Sequence, residues 1–172
     1  MNASSLHSPE VARTLDGLHR RARTDLLRIA LVAPFVVPDF FGLRKIDDRR
    51  LSKHMRRVFV PVTRSQGQML YLVARSIGAR RIVEFGTSFG ISTLYLAAAA
   101  KDNGGIVIGS EIEPAKARVA NANLADAGLG AFVEVRVGDA RETLRNVGGP
   151  VDFLLLDSWI PLVRPVIDVV AP

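Results

Sequence analysis

The spacing of apolar residues along the chain first predicts helices and only later strands. Val11, Leu15 and Leu18 recur at helical intervals after Ser8-Pro9, where serine can cap a helix and proline suits its first turn. This pattern predicts a helix from about Pro9 to Leu31.

The next segments predict a loop followed by two further helices. Residues 34–42 contain two prolines, which remove amide donors, so we expect a loop there. A short basic helix is predicted at Asp47–Val58. Thr63-Arg64-Ser65-Gln66 matches a capping box and predicts a helix over Arg64–Ile77.

From residue 81 onward, short apolar runs alternate with helical segments. The predicted strands are Arg81–Phe85, Gly105–Ser110, Phe132–Val137 and Val151–Leu156. The predicted helices between them are Ile91–Ala100, Pro114–Ala127 and Arg141–Val147. Strands that alternate with helices and are mostly apolar predict an α/β fold with a doubly wound parallel sheet.

Length and composition are those of one α/β domain with a real core. The chain has 172 residues, of which 48% are apolar and 23% charged. We expect residues 1–60 to form a basic helical extension and residues 61–172 to form the domain that binds a ligand. No apolar run reaches the roughly 18 residues of a membrane span, and neither a secretory signal pattern nor cysteine is present. We therefore expect a cytoplasmic protein with no membrane partner.

Charge is divided unevenly along the chain. Residues 1–81 hold 16 Lys/Arg and 6 Asp/Glu, whereas residues 82–172 hold 7 and 11. The basic half is compatible with a phosphate-bearing substrate, nucleic acid, a membrane surface or an acidic partner, and equally with a solvated arginine-rich helical surface.

A glycine loop follows the first predicted strand. Gly86 and Gly90 flank the turn into the next helix, where free amide groups face the strand ends. The spacing G-x-x-x-G differs from the G-x-G-x-x-G of dinucleotide sites, which disfavours a nicotinamide oxidoreductase. The loop predicts a nucleotide-like ligand.

Acidic residues follow the predicted strands at the same edge of the sheet. Glu111 lies 25 residues after Gly86, at the end of the second strand, where a carboxylate can accept both ribose hydroxyls. Asp139 could accept from an adenine amino group or cap the following helix. Glu84 and Asp157 complete this acidic edge.

These loops together resemble the class I S-adenosylmethionine-dependent methyltransferases, most closely the metal-dependent catechol and caffeoyl-CoA O-methyltransferases. The resemblance covers Val62–Val170 and is carried by Ser65–Leu70 and Val83–Thr93. It implies a Rossmann-like sheet with strand order 3-2-1-4.

The resemblance also implies a set of site residues. Together with Gly90 of the glycine loop, the residues expected to bind S-adenosylmethionine are Val62, Glu84, Gly86, Thr87, Ser92, Glu111, Ile112, Asp139, Ala140, Asp157 and Trp159. The methionine end would lie at Glu84, Gly86, Thr87 and Ser92, the ribose at Glu111, and the adenine among Ile112, Asp139, Ala140 and Trp159. Asp157 is the expected catalytic and metal-binding residue.

Two departures from the family pattern affect catalysis. In the catechol branch a lysine acts as general base where this sequence has Ile160. The family's next strand carries an Asp-Asn pair that completes a magnesium site, and this sequence ends at Pro172 before any such strand. We therefore expect a sheet truncated before its fifth strand, an apolar edge at Val151–Leu156 that could pair into a homodimer, and a poorly fixed helix interrupted by Pro161 and Pro165.

The function predicted from the sequence is S-adenosylmethionine-dependent methyl transfer to a hydroxyl group of a small molecule. One alternative is a catalytically impaired relative that binds the cofactor and acts through partners, as Ile160 would favour. A nucleic-acid methyltransferase is disfavoured, because Asp157-Ser158-Trp159-Ile160 replaces the Pro-Pro-aromatic motif common in base-modifying enzymes.

Overall fold

The strands in the described part of the chain form one parallel sheet. The computed structural model describes residues 4–24, 62–158 and 160–170. Its strands are β1 (Arg81–Phe85), β2 (Ile106–Glu111), β3 (Val133–Val137) and β4 (Phe153–Leu156). They are hydrogen-bonded in the order β3-β2-β1-β4, all parallel, which confirms the predicted fold class and strand order. Within the described ranges β4 pairs on one side only, and homodimer formation at this edge stays a prediction.

Helices cover both faces of this sheet. Those in the described ranges are α1 (Pro9–Thr24), α2 (Arg64–Ser76), α3 (Ile91–Asn103), α4 (Pro114–Asp126), α5 (Ala140–Thr143) and α6 (Ile160–Val170). None of these helices is long and apolar enough to cross a membrane. The predicted end of the first helix at Leu31, the loop at residues 34–42 and the helix Asp47–Val58 lie outside the described residues.

The capping box before α2 is present as predicted. The Thr63 side chain accepts from the Gln66 amide at 3.2 Å, and the Gln66 side chain accepts from the Thr63 amide at 2.8 Å. Two amides at the helix start are thereby satisfied, which fixes where α2 begins.

The helix predicted at Arg141–Val147 is shorter in the structure. α5 ends at Thr143 because the chain then turns to bury Leu144 and Val147 in the core. From β3, Arg136 Nη1 donates to the carbonyl oxygens of Thr143 and Asn146, both at 2.7 Å. The bond to Thr143 satisfies a carbonyl group that a helix continuing to Val147 would have paired internally.

The helix after Trp159 is continuous, so the expectation that Pro161 and Pro165 interrupt it is wrong, whereas the expectation that it is poorly fixed stays a prediction. Pro161 falls in the first turn of α6, where no amide donor is needed, and Pro165 is accommodated inside it. Val166 and Val170 are buried against the sheet and provide the packing that holds this helix.

Two hydrophobic clusters sandwich the sheet. The first joins α1, α2 and α3 to one face, so that Val11 and Leu15 share a core with Leu94 and Ile82. The second is smaller and joins α5 and α6 to Val83 on the other face. Fully burying one such side chain contributes roughly 1.5–3 kcal/mol. The described part of the predicted N-terminal extension therefore packs in the same core as the sheet.

α2 and α3 pack closely because Gly67 has no side chain. A Cβ atom at Gly67 would overlap the ring of Tyr95, which lies directly against it. The Tyr95 hydroxyl is 3.2 Å from Nε2 of the buried His19 in α1. This tyrosine thus links three helices.

Hydrogen bonds to Asp102 hold the N-terminal segment against the end of α3. The Asp102 carboxylate accepts from the Ser5 amide at 3.1 Å, from Ser5 Oγ at 2.5 Å and from the Tyr71 hydroxyl at 2.7 Å. Ser4 Oγ lies 2.8 Å from the same tyrosine hydroxyl. Residues 4 and 5 are therefore held by side chains far along the chain.

Candidate functional site

The glycine loop forms the floor of the site at the carboxyl ends of the strands. Gly86 has φ +103°, a conformation that favours glycine, and a Cβ atom there would overlap the backbone carbonyl of Asp157. The amides of Gly86 and Thr87 both donate to the Ser110 carbonyl at 3.1 Å. The loop is thus bonded to the end of β2 and lies against the end of β4.

Glu84 lies beneath this loop and is completely buried. Its carboxylate accepts hydrogen bonds from Ser92 Oγ at 2.6 Å, Thr93 Oγ1 at 2.5 Å and Thr87 Oγ1 at 3.2 Å. Burial, and to a lesser extent the Asp157 charge, raises the pKa of Glu84 to about 7, although the hydrogen bonds from the hydroxyl groups act to lower it. The site therefore contains an acid that titrates near neutral pH.

Glu111 is held in a fixed orientation at the end of β2. Its Oε2 accepts from the Ser88 amide and its Oε1 from the Glu113 amide, both at 2.8 Å. The side chain is only 7% exposed. Carboxylate oxygens each have a second lone pair, so Glu111 can still accept hydrogen bonds from two hydroxyl groups of a ligand.

Residues predicted at the adenine end have different surroundings. Ile112 is 41% exposed, an apolar surface next to Glu111 that a ring could cover, whereas the Ala140 side chain is buried in the core. Asp139 caps α5 by accepting from the Arg141 amide at 2.9 Å, and its carboxylate also forms an ion pair with the Arg141 guanidinium at 2.6 Å. The capping role left open by the sequence is therefore present, and the adenine role stays a prediction.

Asp157 lies at the end of β4 beside the glycine loop. Its amide donates to the Phe85 carbonyl at 3.0 Å, and partial burial of its carboxyl group raises its pKa above the usual range. Within the described residues no three His, Cys, Asp or Glu side chains are grouped to hold a metal ion. Trp159 lies outside the described residues, and Ile160 at the start of α6 is 76% exposed.

For two of the residues predicted to bind the cofactor, Val62 and Gly90, the structure gives the position but does not test the role. Val62 is partly buried against the first hydrophobic cluster, just before the cap of α2. Gly90 begins α3 with φ +85°, close to Ala120 of α4. Their contacts with a cofactor stay predictions.

Sequence analysis missed three residues that support the site. Thr93 donates to Glu84. In α4, Asn123 Nδ2 donates to the Phe89 carbonyl at 2.9 Å, and Lys116 Nζ lies 5.3 Å from the centroid of the Phe89 ring. The spacing of Lys116, Ala120 and Asn123 on one helix face was the available signal.

Comparisons with known proteins agree with this geometry. A family model described as a methyltransferase domain matches residues 83–161. The catechol O-methyltransferase of Mycobacterium tuberculosis is 43% identical over 100 residues, which are 58% of this chain and 45% of that protein. The crystal structure of the O-methyltransferase TomG from Streptomyces achromogenes, in complex with SAM, superposes with a TM-score of 0.60 at 30% identity, over 79% of this chain and 67% of TomG. The chain belongs to the class I O-methyltransferases.

A further O-methyltransferase structure supports the same family fold. The O-methyltransferase from Bacillus cereus in complex with SAH gives a TM-score of 0.61 at 26% identity, over 83% of this chain and 69% of that one. This chain spans about half the length of the curated relatives it matches, 45% of the mycobacterial protein and 48% of a catechol O-methyltransferase from Niastella koreensis. The residues that the family model matches, 83–161, include the glycine loop and the acidic residues at the strand ends.

Proposed function

We propose that this chain binds S-adenosylmethionine at the carboxyl edge of its sheet and transfers the methyl group to a hydroxyl group of a small molecule. The observation that carries the proposal is the convergence of Glu84, Glu111 and Asp157 on the ends of three adjacent strands, around the loop at Gly86. Open α/β sheets bind their ligands at this edge.

The charge of this edge fits a cationic cofactor. The sulfonium and ammonium groups of S-adenosylmethionine are positive, and the Asp157 charge already acts on the buried Glu84. A positive charge placed nearby would favour the ionised form of both carboxyl groups. Glu111, whose two oxygens are oriented by amides, would accept from the ribose hydroxyls.

Methyl transfer requires mainly alignment. The reaction is an in-line displacement at the methyl carbon, so the protein must hold the sulfonium and the acceptor oxygen in line and exclude water. The fixed loop at Gly86 and the buried cage of Glu84 would orient the donor half. A small-molecule hydroxyl as acceptor is supported by the similarity to catechol O-methyltransferases and to TomG, an O-methyltransferase involved in tomaymycin synthesis.

The described residues do not by themselves fit a magnesium site. Asp157 supplies carboxylate oxygens, but no second and third acidic or histidine side chain joins it within the described ranges, whereas magnesium takes six ligands.

A cofactor-binding protein without catalysis is the second candidate. It is favoured by Ile160, an exposed apolar residue at the position where the catechol branch has its lysine base. Incubation of the chain with S-adenosylmethionine carrying a labelled methyl group and a catechol acceptor separates the candidates. Label in the acceptor supports the enzyme, and cofactor binding without transfer supports this alternative.

Cofactor binding is tested by calorimetric titration of the wild-type chain with S-adenosylhomocysteine. Glu111→Ala should weaken binding by roughly 1.5–3 kcal/mol, the usual contribution of hydrogen bonds to a charged group. Glu142 is an exposed acid on α5 that is paired with Arg145, so Glu142→Gln is the matched control and should bind as the wild type does. Failure of the wild-type chain to bind would overturn the proposal.

A further inference from the structure

One face of α4 lies along the glycine loop. Lys116, Ala120 and Asn123 occupy this face, four and three residues apart. The Asn123 amide group donates to the Phe89 carbonyl at 2.9 Å, and the Lys116 ammonium lies 5.3 Å from the centre of the Phe89 ring. Between them, the buried Ala120 lies so close to Gly90 that a Cβ at Gly90 would come within 3.3 Å of the alanine methyl group.

The loop held by this face contains an unusual backbone conformation. Ser88 has φ +50°, and no other non-glycine residue in the described ranges has a positive φ. The turn is closed by a hydrogen bond of 2.8 Å from the Gly90 amide to the Thr87 carbonyl. A serine in this region costs on the order of 1 kcal/mol and persists only when its surroundings hold it.

The same turn orients the predicted ribose acceptor. The Ser88 amide donates to Glu111 Oε2 at 2.8 Å, so the direction of this N–H group fixes one carboxylate oxygen. If the turn rotated, the Phe89 carbonyl would leave Asn123 and the Ser88 amide would leave Glu111. The contacts of α4 with Phe89 and the orientation of Glu111 are therefore coupled through the three peptide units between Thr87 and Gly90.

We infer that Asn123 and Lys116 are positioning residues for the ribose end of the cofactor site, because they hold the Ser88 turn in the conformation that orients Glu111. The inference rests on the proposed binding of S-adenosylmethionine. It extends the site to one face of α4, beyond the glycine loop and the acidic residues at the strand ends. Lys116 is also close enough to Glu111 and Glu113 for their charges to act on it. Burial lowers the pKa of Lys116, and the charges of these two acids partly oppose that effect.

Asn123→Asp tests the hydrogen bond to Phe89 with nearly unchanged shape. At pH 8 the carboxylate cannot donate and repels the carbonyl oxygen, so S-adenosylhomocysteine should bind about tenfold more weakly than to the wild type. At lower pH a protonated aspartic acid can donate again, so the ratio of the two dissociation constants should approach one. Asn121→Asp, on an exposed position of the same helix, is the control and should give a ratio near one at every pH.

Lys116→Met tests the ammonium group while retaining the apolar stem. We expect S-adenosylhomocysteine to bind about threefold to tenfold more weakly, and Lys116→Arg to retain most of the affinity because arginine also stacks on aromatic rings. Lys101 is a matched control, since its Nζ lies 5.6 Å from the Phe132 ring at the other end of the sheet. Lys101→Met should leave the affinity unchanged.

Adenosine as a second ligand separates positioning from a general loss of structure. Adenosine has the ribose but no methionine end, so its affinity should fall by the same factor as that of S-adenosylhomocysteine in Asn123→Asp. A lower melting temperature with unchanged affinities would overturn the inference and leave a purely structural role. If the wild-type chain binds neither ligand, the proposed function fails and the inference fails with it. Wild-type binding with an unaltered Asn123→Asp affinity overturns the inference alone.

Discussion

Ser92 Oγ donates a hydrogen bond of 2.6 Å to the buried carboxylate of Glu84, which joins the first turn of α3 to the end of β1. The bond matters because the acid that it serves carries no water-exposed surface. Thr93 and Thr87 donate to the same carboxylate. Among the described residues, the hydrogen-bond donors that stabilise ionised Glu84 are therefore all hydroxyl groups.

The raised pKa of Glu84 predicts that stability falls as pH rises. The folded chain keeps a proton up to about pH 7 that the unfolded chain, with an ordinary pKa of 4.5, has already released. The contribution of Glu84 to the free energy of unfolding is therefore fully present below pH 4.5 and is lost as the pH rises to 7. This loss is on the order of 3 kcal/mol at most. Urea denaturation at pH 5 and pH 8 measures the loss.

Glu84→Gln should make this loss smaller, because glutamine does not titrate while its oxygen can still accept from the hydroxyl groups. Glu142→Gln is the control: Glu142 is exposed and its pKa is lowered by Arg145, so its titration lies below this range. Equal losses between pH 5 and pH 8 in the wild type and Glu84→Gln would show that another group is responsible.

Gly86→Ala should destabilise the chain and abolish cofactor binding. The substitution places a Cβ atom against the Asp157 carbonyl and imposes φ +103° on an alanine, which together should cost at least 2 kcal/mol. Gly104→Ala is a matched control, since Gly104 has φ +70° at the end of α3 but open space around its Cβ position. Thermal unfolding should show a smaller loss for Gly104→Ala, about 1 kcal/mol. Similar losses for both variants would mean that the contact with Asp157 is relieved by a small shift.

Asp102→Asn should release the N-terminal segment without changing the cofactor site. The variant loses acceptor capacity towards the Ser5 amide and the Tyr71 hydroxyl, and we expect a loss of roughly 1–3 kcal/mol in unfolding free energy. Faster hydrogen exchange at Ser5 with an unchanged affinity for S-adenosylhomocysteine is the expected pattern. Protection of Ser5 equal to that of the wild type would contradict the role given to Asp102.

Asp139→Ala distinguishes the two interpretations of this residue. Loss of the cap alone should cost about 1 kcal/mol of stability and leave the affinity for S-adenosylhomocysteine unchanged. A loss of affinity as well would support the adenine contact. The pKa of Asp139 is held below its usual range, chiefly by the Arg141 side chain, so measurements at pH 6 to 8 compare the ionised form with alanine.

Local patterns in the sequence predicted most of the fold. Thr63 and Gln66 form their capping box, and the strand Arg81–Phe85 has the predicted bounds, because both depend on neighbouring residues. The short α5 and the continuous α6 were not predicted, since their bounds depend on Arg136 and on the burial of Val166, contacts between distant parts of the chain. Helix propensity alone could not show that such contacts end α5 early or keep α6 continuous despite its prolines.

The placement of several candidate site residues was also predicted, and their roles in cofactor binding stay predictions. Strand ends and glycine spacing placed Glu84, Gly86 and Glu111 together, because parallel strands bring their carboxyl ends to one edge. Asn123 was missed, since its contact with Phe89 depends on how α4 is rotated against the loop, which the sequence pattern of a helix with buried Ala and Leu residues does not determine.

The close contact of Gly67 with the ring of Tyr95 restricts the order in which substitutions can accumulate. Any side chain at position 67 would occupy the space of the ring, so such a change is tolerated only after position 95 has become smaller. A smaller residue at 95 first leaves a cavity and loses the hydroxyl group that meets His19. Evolution or engineering of this helix pair must therefore pass through a less stable intermediate, and homologues with a larger residue at 67 should carry a smaller one at 95.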